Sequence, residues 1–203
     1  MSADAYPETP AAALAALRAG NERHQAGTQE LRNLSPLGER HADGQRPFAA
    51  IISCADSRVS TALAFDLDRG NLFVSKVAGN TLDTGTVGST EFAVAVLGVK
   101  LVMVLGHTDC GAVKAAIEVA DGTRVYPPEE YGDIGPVVDA VVPAIESLPA
   151  DQRALRECVA ANARSQAAAL ADRGPIIGPA VEAGTVRVVA AVYEIETGRV
   201  ELL

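Results

Sequence analysis

Two short motifs hold most of the chemistry this chain can do: CADSR at 54–58 and HTDCG at 107–111. The 203 residues include only three histidines and three cysteines. Three of those six, Cys54, His107 and Cys110, fall in these motifs. Thiolate sulfur and imidazole nitrogen are ligands that zinc favours in tetrahedral sites. Two Cys and one His give three protein ligands and leave a fourth position for water, as in catalytic rather than structural zinc sites. Two thiolates neutralise the cation, so a water there ionises less readily than beside three neutral imidazoles, and mildly alkaline activity is expected. Asp56 can orient such a nucleophile, and Arg58 can hold Asp56 by a bidentate pair. Plainer readings stand beside this one. HxxC spacing arises by chance, with the His capping a helix and the Cys inert in a core. Cys54 alone reads as a core cysteine, and DSR alone as a loop ion pair with a capping Asp. Cys110 as the nucleophile of a thiol enzyme is a further alternative.

The metal reading depends on the elements that carry the motifs. PFAAIISC, with a strand expected over 48–53, and KLVMVL, with one over 101–105, are apolar on both faces and each runs directly into a motif. Strands of that kind, alternating with helices, predict an α/β fold with a mainly parallel central sheet covered by helices on both sides. In such sheets the ligand site lies beyond the carboxyl ends of the strands. Further strands are expected at 71–79 and in a C-terminal hairpin over 185–203 with a Glu-Thr-Gly turn. Helices are expected at 86–99, from the HTDCG turn to 120, at about 135–147 and at 151–173, with a loop over 121–133. An N-terminal helix starts at a Thr9 cap and Pro10, and Gly20 or Gly27 can end it. An irregular connection over 28–47 follows. A leading helix with a long arm over 1–35 suits packing on a neighbouring subunit. Gly106 and Gly111 are expected to allow a tight turn and close backbone approach around an ion.

Composition narrows the function classes. The length suits one domain, 1–203, large enough for a core without disulfides. Hydrophobic residues are 48% and charged residues 21% of the chain, as in ordinary globular proteins. The net charge of −9 argues against nucleic-acid or anionic-membrane partners. No basic region precedes an apolar stretch at the N-terminus, and no apolar run reaches the ~20 residues of a membrane helix. A cytoplasmic location is expected, and an odd cysteine count there favours metal or nucleophile roles over disulfides. Cys158, in a helical stretch, reads as buried filler. AGNTLDTGTVGS lacks a phosphate-loop Lys and reads as a turn near the site.

With CxDSR and HxxCG in these positions, the sequence resembles the β-class carbonic anhydrases. GQRPFAAIISCADSRV, FVSKVAGN, GSTEFAVAVLGVKLVMVLGHTDCGAVKAA and VVAAVYEIETGRV match in order and spacing, from about residue 11 to the C-terminus. The resemblance implies a zinc enzyme, one Zn2+ per subunit, that interconverts carbon dioxide and bicarbonate by attack of zinc-bound hydroxide. It makes Cys54, His107 and Cys110 the metal ligands and Asp56 and Arg58 a catalytic dyad. Asp56 becomes a fourth ligand if the site closes. Gln45 matches a residue that hydrogen-bonds substrate across a subunit interface, and the Gly111 N–H faces substrate. Phe73 and Ala78 match the apolar pocket wall. Phe92 stands where plant-type members carry a Tyr. A homodimer, or a homotetramer built on one, is implied, with the N-terminal helix embracing the partner.

Some members have a non-catalytic bicarbonate site of Trp, Arg and Tyr. The matching residues here are Ile51, Lys76 and Tyr193, which implies that this site is absent and that water is the fourth ligand. No proton shuttle is evident; His24 and His41 qualify only in principle and read as solvated surface residues. The rival functions are a zinc hydrolase of carbonyl sulfide or carbon disulfide on the same ligands, and a non-catalytic bicarbonate- or zinc-binding module. The Asp56–Arg58 pair argues against the latter, because binding zinc alone needs no dyad.

Overall fold

The fold was analysed in a computed structural model that describes residues 6–30 and 44–203. The chain begins with α1 (Pro10–Ala26). The Thr9 side chain accepts from the Ala12 N–H, Pro10 occupies the first turn, and Gly27 closes the helix in the left-handed conformation at φ 66°. Leu14 and Leu17 are buried beneath it. Where it crosses Phe65 the backbones touch: a Cβ on Gly20 would stand 1.8 Å from the Phe65 carbonyl oxygen. Buried Asn21 donates to the Ala64 and Gly198 carbonyls and accepts from the Val200 N–H, which pins the helix to its own chain. Most of the connection expected after it, and His41, lie outside the described residues.

Five strands form one sheet in the order β2-β1-β3-β4-β5: β1 (Ala49–Ser53), β2 (Leu72–Lys76), β3 (Leu101–His107), β4 (Arg187–Tyr193) and β5 (Val200–Leu202). The first four run parallel, and β5 turns back antiparallel to β4. Central β1 and β3 are buried at every residue, as their unbroken apolar runs require. Alternate side chains divide between two faces. Ile51, Leu101, Met103 and Leu105 pack with Leu14, Leu17 and Phe65 on one face. Ile52, Val102 and Val104 pack with helices on the other. Those helices include α3 (Thr84–Ala95), α8 (Leu155–Ala171) and α9 (Ile177–Glu182). The short α2 (Thr61–Ala64) precedes β2. Beyond β3 come α4 (Gly111–Ala120), α5 (Pro128–Tyr131), α6 (Ile134–Asp139) and α7 (Val142–Glu146). A third apolar cluster lies between α4, α6, α7 and α8, and it contains Cys54, Cys110 and Cys158.

The architecture is the α/β fold expected from the sequence; several element bounds differ. The strand over 71–79 stops at Lys76, because Gly79 and Asn80 take positive φ in a 3-10 turn. The helix over 86–99 starts earlier, at Thr84, where the Asp83 carboxylate accepts from the Thr86 N–H, and ends at Ala95. The helix over 135–147 is two helices, since Pro143 has no N–H to continue a ladder and instead opens α7. The loop over 121–133 contains α5, and the helix over 151–173 begins only at Leu155. No helix is long and apolar enough to cross a membrane among the described residues.

Candidate metal centre

The parallel register of β1 and β3 sets Ser53 beside Leu105, so the residues after them emerge together at the carboxyl edge. Cys54 follows β1 directly and His107 is the last residue of β3. A turn through Asp109, at φ 62°, then brings Cys110 back as the cap residue of α4. The ligand atoms of Cys54, His107 and Cys110 lie within 4.8 Å of one another, and all three residues are buried. The two sulfurs are 4.0 Å apart. Sulfurs at ~2.3 Å from a tetrahedral zinc stand about 3.8 Å apart. The His107 Nδ1–H donates to the Thr108 carbonyl at 2.8 Å, which turns Nε2 toward the sulfurs. That Nε2 is buried without a hydrogen-bond partner. A buried orphan nitrogen is costly in an apo protein and well placed as a metal ligand. The donor set therefore fits zinc.

Thiol electrostatics point the same way. A hydrogen bond from Cys110 draws the Cys54 thiol down to about 4 against the opposing effect of burial, with His107 helping. Donation to Cys54, together with burial, pushes Cys110 above the ordinary thiol range. Burial opposes a charge on His107, yet the Cys54 thiolate beside it holds the imidazole above its usual pKa. The group thus holds one thiolate, at Cys54, that takes a hydrogen bond from Cys110 and lies beside the His107 imidazole.

Asp56 stands at the rim, with Oδ2 3.9 Å from His107 Nε2. Arg58 grips both of its oxygens: the backbone N–H and Nε donate to Oδ1 at 2.9 and 3.0 Å, and Nη2 donates to Oδ2 at 2.8 Å. This contact holds the Asp56 carboxyl well below the usual carboxylate range. The Lys76 ammonium donates to the Val59 and Asp56 carbonyls at 2.7 and 3.3 Å and fixes the same loop from β2. Ile51 is wholly buried in the core, and Tyr193 is buried at the end of β4.

The other expected site residues are spread more widely. Phe73, on β2, is half-buried, with its ring centroid 6.4 Å from that of Phe92 on α3. Ala78 is exposed in the 3-10 turn that follows β2. Gly111 opens α4, and a Cβ there would meet nothing within 4 Å. Its φ is unremarkable, so neither turn geometry nor close approach explains it, contrary to expectation. Gly106 does sit at a close approach: its Cβ would lie 3.2 Å from Val159 Cγ1 and 3.5 Å from Ala163 Cβ. Gln45 is exposed and precedes the amino end of β1, so the length of that strand separates it from the metal ligands of its own chain. His24 is half-buried against Gly198, and its Nδ1 is hydrogen-bonded to Gln29, so it is more enclosed than a solvated residue. Sequence reasoning did not single out Asp109, Lys76 as a loop clamp, or Thr108 as the acceptor that orients His107. For Asp109 the available signal was an acidic residue between two ligand positions.

Comparisons with known proteins agree with this geometry. The family described as carbonic anhydrase matches residues 49–200. The carbonic anhydrase of Mycolicibacterium smegmatis is 37% identical over 196 residues, covering 95% of this chain and 93% of that one. Carbonic anhydrase 2 of Mycobacterium tuberculosis is 36% identical over 208 residues, covering 95% and 92%. Among solved structures, a Coccomyxa β-carbonic anhydrase in complex with acetazolamide superposes with a TM-score of 0.67 at 29% identity, covering 81% of this chain and 75% of that one.

Proposed function

This chain belongs to the β-carbonic anhydrases, and from that premise we propose that it hydrates carbon dioxide reversibly to bicarbonate and a proton at a zinc ion held by Cys54, His107 and Cys110, one per subunit. The observation that carries the reading is the buried group of two sulfurs and an orphan imidazole nitrogen, with an arginine-gripped carboxylate at its rim. Zinc bound there makes water a nucleophile near neutral pH and offsets the charge that develops on substrate oxygen.

The chain's own residues do the rest. Asp56 accepts a hydrogen bond from the attacking oxygen and leaves its lone pair facing the carbon. Arg58 keeps Asp56 ionised and, by donating to both its oxygens, would hold it back from a bound zinc and leave room there for water. Phe73, Ala78 and Phe92 form an apolar wall that suits an uncharged substrate. The Gly111 N–H, at the amino end of α4, faces a substrate oxygen. Gln45 reaches the site of a second copy, because its own site lies beyond the far end of β1. The exposed apolar side chains Leu63, Val74, Phe92 and Val96 support an oligomer. α1 is seated on its own chain, so a partner subunit would meet its outer face, and the enzyme works in the cytoplasm.

Stopped-flow hydration of carbon dioxide across pH, on protein of measured zinc content, tests this. Expected are activity rising toward mildly alkaline pH, and an Asp56→Asn variant that keeps its zinc but loses nearly all turnover. Zinc-loaded wild-type protein without hydration activity would overturn the reading. Faster sulfide release from carbonyl sulfide than hydration would assign the sulfur substrate instead.

A further inference from the structure

The Asp56–Arg58 pair is local: both residues sit on one loop, two positions apart, so their mutual contact leaves the pair free to turn as a body. Catalysis needs Asp56 fixed relative to the metal ligands, and two of those, His107 and Cys110, belong to another segment. The Arg58 side chain reaches across to that segment. Arg58 Nη1 donates to Asp109 Oδ2 at 3.1 Å, and Nη2 approaches the Asp109 carbonyl at 3.5 Å. The other Asp109 oxygen takes the ammonium of Lys114, one turn into α4. The guanidinium is thus clasped on both edges, by Asp56 inside and Asp109 outside, which uses the fork of donors that only arginine offers. Asp109 reaches it because its backbone is left-handed, at φ 62°, between the two ligands.

We propose that Asp109 is a positioning residue: through Arg58 it locks the 54–58 loop to the His107–Cys110 turn and so sets Asp56 against the attacking oxygen. The proposal rests on the dyad reading above. It concerns preorganisation, in which a loose supporting contact costs rate without costing metal. Asp109 and Arg58 are 54% and 45% exposed at the side chain, so water screens the contact and its effect is graded rather than absolute.

Asp109→Asn tests it, because asparagine accepts the left-handed backbone as aspartate does while it removes the charge and turns one of the two accepting oxygens into a donor. Expected are zinc content, melting temperature and KM for carbon dioxide as in wild type, and a kcat about tenfold lower, the low end of outer-shell effects at metal sites. In an Arg58→Lys background the same substitution should cause no further loss, since the effect passes through Arg58. A wild-type kcat in Asp109→Asn, or an equal additional loss in the Arg58→Lys background, would overturn the proposal. An arm independent of activity uses nitrogen-15 NMR of the arginine side chains in the zinc-loaded protein. Rotation of the Arg58 guanidinium, hindered in wild type by Asp56 and Asp109 together, should be faster in Asp109→Asn, where Asp56 alone holds it. Equal hindrance in both would also overturn it. Were the wild type inactive on carbon dioxide, the function reading would fail while the NMR arm still judged Asp109.

Discussion

At the scale of single residues, Gly111 separates two roles that glycine can play. At Gly106 an added Cβ would crowd α8, 3.2 Å from Val159 Cγ1. At Gly111 the backbone is ordinary and the space ahead is open on the chain's own side. On the proposed role of the Gly111 N–H, what an added methyl would enter is the substrate's approach. Gly111→Ala should therefore fold normally, with stability unchanged or up to about 1 kcal/mol higher, since alanine loses less backbone entropy. Zinc content should be full, and kcat/KM for hydration about tenfold lower, because the methyl displaces substrate from the line of attack. Thermal melting and stopped-flow assays on the same sample check this; wild-type kcat/KM would show that substrate does not approach past residue 111. The Cys-His-Cys group and the Asp56–Arg58 contact were legible in sequence because the chemical role proposed for each needs a particular residue type. Cys54, His107, Cys110, Asp56 and Arg58 converge as their spacing suggested. Asp109 was not legible, because its role depends on a single left-handed residue that aims its side chain at another loop.

At the scale of elements, the site is as accurate as the seating of β3. His107 is the last residue of that strand; the residue before it touches α8, and the one after it is bonded on both sides. The Thr108 N–H donates to the Tyr193 carbonyl, and its hydroxyl accepts from the Ile195 N–H. Gly106→Val would push branched carbon into Val159 and Ala163, which line the buried face of α8. Overpacking of this kind costs about 1–3 kcal/mol. The strand end should shift with it, so zinc affinity should fall along with the melting temperature. A chelator competition assay reads the first and calorimetry the second; a variant that melts earlier with unchanged zinc affinity would mean that β3 and α8 position His107 independently. The strands were legible because their doubly apolar runs have one solution, a covered parallel sheet. Helices such as α2 and α9, four and six residues long, are too short to display a period, and the split between α6 and α7 turned on one proline.

At the scale of the whole molecule, β2 is one of the sheet's two edge strands, and no further strand pairs with its outer side among the described residues. Beside it Phe92 and Val96 of the α3 segment stay 47% and 64% exposed. Gln45 is held far from the metal ligands of its own chain by the length of β1, yet it stands in the open, where a neighbour could meet it. An isologous dimer would place each Gln45 at the other copy's site and cover apolar surface in the same step. Subunit mixing separates this from a role within one chain. Gln45→Ala and Asp56→Asn homodimers should each be nearly inactive with full zinc. When the two are unfolded together and refolded in equal amounts, half the dimers are mixed. Each mixed dimer then has one site with a native Asp56 and a native Gln45 from the other copy. About a quarter of wild-type activity should return, which random pairing of symmetric dimers requires. If Gln45 served its own chain, every site in the mixture would lack one of the two residues, and no activity would return.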